Sequence, residues 1–133
     1  MNLMTLLMTY HVSANIALKL IKTTIPSYSP RIMHSIFMFS VFVIGYSWAW
    51  IETKAMANPL MQDLFYYEKM DMMLKYGSII YATYFIASFP LYYFIDEDEH
   101  HSWSVLQVIA AALSACTLTF FMLDIAVHSI GRL

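Results

Sequence analysis

Six side chains of this 133-residue chain pair useful chemistry with apolar surroundings: Glu52, Asp124, His11, Asn15, His34 and His128. Ionisable and polar groups at membrane depth are costly, so each invites a functional reading. His11 and Asn15 stand four residues apart and share one helix face. Such a pair can hold a ligand, or glue two helices by a hydrogen bond. Asp124 and His128 repeat that spacing, so the carboxylate could orient the imidazole or act with it as acid and base. Asp124 also lies 21 residues beyond Trp103, where a crossing helix reaches the far interface. Glu52 follows the 19 uncharged residues from Ile32 to Trp50, with Lys54 close by. It is either a working acid or the wet end of a helix, because long side chains near a span end reach water. His34, near the start of the same run, meets the headgroup region on its plainest reading.

Metal chemistry has no support in the spacing: HExxH, CxxC and carboxylate-ExxH patterns are missing, and the adjacent His100 and His101 offer at most a surface site. No metal residue is therefore assigned. Cys116, the single cysteine, excludes an intrachain disulfide and reads as a packing residue in an apolar run. The N-terminal residues lack the basic flank and cleavage site of a signal peptide and the arginines of a transit peptide, and read as the start of a first membrane segment.

The elements that must position these groups are membrane helices. The chain is 60% hydrophobic and 12% charged, far from the balance of a soluble domain. Its net charge of -2, without a basic run, excludes a nucleic-acid binder. About 20 apolar residues cross a bilayer. Four segments reach that length, at residues 2–20, 32–56, 76–95 (interrupted by Pro90) and 103–130, within one transmembrane domain, 1–133. The expected fold is all-α: a four-transmembrane-helix bundle with a short interfacial helix between spans two and three. In QDLFYYEKMDMMLK that helix would turn Leu64, Phe65, Met72 and Met73 toward lipid or protein, and Asp63, Glu68, Lys69 and Asp71 toward water. The basic residues divide four (Lys54, Lys69, Lys75, Arg132) against three (Lys19, Lys22, Arg31), so the positive-inside rule leaves orientation open.

Several blocks, in order along the chain, resemble the cycloeucalenol cycloisomerase family. They are YHVSANIALKL (10–20), GYSWAWIETKAMAN (45–58), FYYEKMD (65–71) and YGSIIYATYFIASFPLYYFIDE (76–97), with a looser match through Trp103 and Leu123-Asp124. The match is to the C-terminal half of the family pattern, and nothing here corresponds to the N-terminal half. The resemblance implies a reaction that opens a 9β,19-cyclopropane ring of a sterol by protonating one carbon and deprotonating its neighbour. Such chemistry requires no redox cofactor; it needs a dry cavity, an acid and a base. The matching ionisable residues are His11, Glu52, Asp71, Asp96, Glu97 and Asp124. Glu52, Asp124 and His11 are the candidate catalytic groups, because a buried carboxyl group keeps its proton. The pattern's charges are replaced at Phe94, Gln107, Ala111 and Val127, which removes groups able to fix a cation, a hydroxyl or a proton donor.

Two functions follow. The first is a truncated, non-catalytic relative of the sterol isomerase, serving as an accessory transmembrane subunit of a larger organellar complex, photosynthetic or respiratory, in the thylakoid or inner mitochondrial membrane. Its aromatic content of 17% suits packing against other helices, lipids or pigments. In a photosynthetic host, His11, Asn15, His34 and His128 are the side chains that could meet a chlorophyll magnesium, and carotenoid or lipid could lie beside them. The alternative is a sterol isomerase of the endoplasmic reticulum working by protonation and deprotonation, with a sterol as its partner molecule.

Overall fold

The computed structural model describes residues 3–25, 28–61, 63, 66–97 and 102–131. Among them the chain is helical: α1 (Leu3–Thr24), α2 (Pro30–Met56), α3 (Met70–Glu97) and α4 (Val105–Ile130), with a single 3-10 turn at Pro59–Met61. Three helices, α2, α3 and α4, are long and apolar enough to cross a membrane. α1 is not among them by its composition, which includes Lys19 and Lys22, and its polar face is turned toward α3.

Local chemistry sets the helix ends. Pro30 opens α2 at a position whose N–H would be unpaired anyway. At the other end Asn58 precedes Pro59, which disfavours helical backbone for Asn58. α2 thus continues past Trp50 to Met56, as the sequence suggested, and Glu52 belongs to its last turns. A capping box starts α4: the Ser104 hydroxyl accepts from the Gln107 N–H while the Gln107 side chain accepts from the Ser104 N–H at 2.8 Å. Gly131 ends it at a φ of 93°, a backbone geometry that side chains disfavour.

The described residues of the link do not show a separate interfacial helix, and Leu64 and Phe65, on which that expectation also rests, lie outside them. Asp71, Met72 and Met73 belong instead to the first turn of α3, which starts at Met70 because no breaker separates that residue from Tyr76. Nor does Pro90 interrupt α3, which runs on to Glu97. Proline costs the helix one hydrogen bond there, and flanking turns and packed neighbours hold the axis through it.

The core sits on a four-residue repeat. Val41, Gly45, Ala49 and Thr53 of α2 are buried against α3, the largest interface in the molecule. A Cβ on Gly45 would come within 3.1 Å of the Phe85 Cβ, and one on Gly77 within 3.2 Å of the Thr53 methyl. Small residues thus bring the two backbones together, the usual device where water supplies no hydrophobic drive between helices. Tyr10, Ala14 and Leu18 of α1 pack on this pair beside Phe85, Phe89 and Tyr93 of α3. α4 attaches to α3, and Ala111 and Thr119 are its buried residues.

Candidate functional site

α1 carries a polar face that includes two of the candidate residues, His11 and Asn15. The Leu7 carbonyl lies 2.8 Å from His11 Nδ1. A carbonyl only accepts, so Nδ1 holds the ring proton and Nε2 accepts from the Ser88 hydroxyl of α3 at 3.0 Å. Phe89 meets the imidazole edge-on at 5.2 Å, and Tyr92 tilts against it at 5.1 Å. Ser88 stands out among the helix hydroxyls: Ser40, Ser47, Thr53, Ser114 and Thr119 donate to carbonyls of their own helices. One turn further along α1, Asn15 donates to Asp96 of α3 at 3.0 Å, while its own Oδ1 is buried without a partner among the described residues. Lys19 then pairs with Glu97 at 2.6 Å, and the Lys22 ammonium lies 5.6 Å from the centre of the Tyr93 ring. The expected shared face of His11 and Asn15 is therefore present, and it ties α1 to α3.

Glu52 sits elsewhere. It is half-buried on α2, beside the fully buried Thr53, and near enough to Tyr10 and Tyr67 to bear electrostatically on both phenols. Tyr67, in the link before α3, shares a 3.0 Å hydrogen bond with Tyr81 of α3. Burial, that bond and the Tyr81 and Glu52 charges hold the Tyr67 phenol well above the ordinary tyrosine range. The nearness of Tyr10 and Tyr67 to Glu52 was not legible in the sequence.

Asp124 and His128 are exposed on α4, with no hydrogen bond between them. The acid-base pair suggested by their spacing is therefore not assembled. His34 is exposed near the start of α2, beside a groove of about 300 Å³ that also borders Lys22, Phe37, Tyr93 and Phe94. A second groove, of about 240 Å³, lies between α1, α3 and α4 and contains His11 and Ser88 on an otherwise apolar wall. Cys116, expected to be packed inside, is exposed along this groove. Glu52 and Asp124 line neither space. Both grooves are at or below the small end of ligand pockets, which run from roughly 300 to 1,000 Å³. His100 and His101 lie outside the described residues, and within those residues no three His, Cys, Asp or Glu side chains form a metal cluster.

The positions where charges of the family pattern are replaced have structural places of their own. Gln107 completes the α4 capping box, and Ala111 is buried. Phe94 packs 5.6 Å from Phe37, and Val127 is exposed on α4. The blocks that resemble the family likewise hold the close-packed seam: Gly45, Ala49 and Thr53 lie in one, and Gly77, Phe85 and Phe89 in another.

No protein-family profile matches the chain, and no solved structure matches it. Among curated proteins, cycloeucalenol cycloisomerase of Arabidopsis thaliana is 32% identical over 119 residues, covering 87% of this chain. The chain spans 40% of that relative's length. This chain is thus similar, over most of its own length, to a part of cycloeucalenol cycloisomerase.

Proposed function

We propose that this chain is a membrane-embedded relative of the isomerase that does not perform ring opening by itself, and that it serves as an accessory transmembrane subunit of a larger assembly. One observation carries this reading: Glu52, His11 and Asp124 occupy three separate environments. A cyclopropane opening needs acid and base on either side of one developing cation, inside one dry cavity. Here His11 is spent on Ser88, Glu52 is half-buried on α2, and Asp124 is exposed on α4. The outward apolar face of α4 supplies the surface for partner helices.

Fractionation of the native membrane in mild detergent tests this reading. The chain is expected to co-migrate in fixed stoichiometry with larger subunits, whose identities by mass spectrometry would distinguish a photosynthetic from a respiratory host. Migration as a lone small protein would sink the accessory role. The name of the relative favours a second reading, a sterol isomerase whose site is finished by another chain. Cells that lack their own cycloisomerase should then convert cycloeucalenol when given this chain together with the chain that completes its site, and Glu52→Gln should abolish the conversion. Turnover of that kind would overturn the non-catalytic reading.

A further inference from the structure

We infer that α1 is a fourth membrane crossing, packed beside the seam of α2 and α3 with Met8, Val12, Ile16 and Leu20 against lipid acyl chains. Its 22 residues reach about 33 Å at 1.5 Å of rise each, enough for the hydrocarbon core of a bilayer. Direction distinguishes a crossing from a helix lying flat. Tyr10 meets Phe85 with ring centres 5.3 Å apart, His11 meets Ser88, Asn15 meets Asp96 and Lys19 meets Glu97, so α1 and α3 advance side by side in the same sense. Tyr10 also packs against Trp48 of α2, with ring centres 4.8 Å apart. A helix in the headgroup plane would pass α3 at one point, whereas α1 follows it from Tyr10 to Lys19.

Polarity decides what covers the outer face. α1 has no acidic residue, and its two charges, Lys19 and Lys22, stand in its last turns, beside Glu97 at the end of α3 and Pro30 at the start of α2. Before them, the polar side chains bond within the protein: His11 to the Leu7 carbonyl and Ser88, Ser13 to the Tyr10 carbonyl at 2.9 Å, and Asn15 to Asp96. Internal partners are what a lipid environment demands of polar groups. On the other side Met8, Val12, Ile16 and Leu20 recur every four residues and are 51%, 45%, 65% and 63% exposed. A helix at a water-facing surface turns its polar residues outward. In α1 that order is reversed, so the polar content that sets it apart from α2, α3 and α4 lies on the inside. Beside α2, itself apolar enough to cross, the medium that meets such a face is acyl chain. Four crossings put the start of α1, the turn after α2 and the end of α4 on one side of the membrane. This topology stands for a catalytic or an accessory chain alike.

Two measurements on the full chain carrying Cys116→Ala test the crossing. In sealed membrane vesicles, an epitope tag fused ahead of Leu3 and the thiol of Leu60→Cys, in the exposed turn after α2, should be reached by impermeant reagents from the same side, and the thiol of Ser29→Cys from the other. In liposomes, spin labels on Val12→Cys and on Val43→Cys, which is mid-span on α2 and 44% exposed, should collide equally with oxygen and be equally shielded from a water-soluble nickel chelate. The label on Leu20→Cys, nearer the charged end, should be several-fold more open to the chelate. Circular dichroism matching the parent chain would show that the variants fold. A tag reached from the side of Ser29→Cys would overturn the crossing. A single depth shared by Met8→Cys, Val12→Cys, Ile16→Cys and Leu20→Cys, the signature of a helix lying flat, would overturn it too. Low collision with both reagents at Val12→Cys and Ile16→Cys would overturn the assignment to lipid and give this face to another protein chain.

Discussion

The interface of α2 with α3 and the helix α4 are both apolar, yet they are built for opposite purposes. Of the most apolar stretch of α3, 39% is buried inside the molecule; of the corresponding stretch of α4, 6% is. α2 and α3 meet through Gly45, Ala49, Thr53 and Gly77, small groups that admit a backbone on the other side. α4 offers Leu113, Phe120, Phe121 and Ile125 to the outside. Apolarity inserts a helix into a membrane, whereas small-residue spacing decides whether it binds its neighbour. The seam is therefore where the fold is held, and α4 is where the molecule faces lipid or a partner.

The seam should break first at its largest buried ring. Phe89 is fully buried and stacks on Phe85 with ring centres 5.0 Å apart. Phe89→Ala should cost about 3 kcal/mol, the low end of core truncations, because apolar surface freed in a bilayer meets lipid rather than water. Denaturant titration in detergent micelles would measure the loss. Gly45→Leu comes next, at about 2 kcal/mol, since its Cβ alone already presses on Phe85 and a branched side chain must push the helices apart. A variant as stable as the parent would remove close backbone approach as the organising feature of the seam.

A smaller effect is expected where α1 docks. A double-mutant cycle with His11→Ala and Ser88→Ala should give a coupling of about 0.6 kcal/mol, the average for hydrogen bonds between membrane helices, and no more than about 1.7 kcal/mol. A coupling indistinguishable from zero would mean that aromatic packing around His11, rather than the hydrogen bond, fixes the helix.

The helices were legible in the sequence because long apolar runs and prolines act locally. The run to Trp50 and the uninterrupted helix formers after it gave the extent of α2, and the shared face of His11 and Asn15 followed from their spacing. Their partners Ser88 and Asp96 were not legible, since spacing on one helix says nothing of which residue on another comes opposite. The same gap applies in ETKAMAN. Glu52 drew the functional reading as an ionisable group, while its neighbour Thr53, a small polar residue, is the one fully buried and in contact with the next helix. Likewise the α1 helix was legible from its apolar run, whereas the distribution of its polar groups toward α3 belongs to tertiary structure.

The smallest effect on stability should come from α4, and it is the most informative about function. Leu113→Ala combined with Phe120→Ala removes two exposed side chains and leaves Ala111 and Thr119 in place against α3. Each substitution should change the stability of the isolated chain by less than about 0.5 kcal/mol, because neither leaves a cavity or an unpaired polar group. In native membranes the same variant should lose its place in the larger assembly, since truncating apolar anchors at the centre of an interface removes a large share of binding energy. Lipid contact alone predicts that co-migration is retained, because lipid refills the space left by either side chain. Parent-like stability together with lost co-migration would assign α4 to a protein partner, whereas retained co-migration would return this face to lipid.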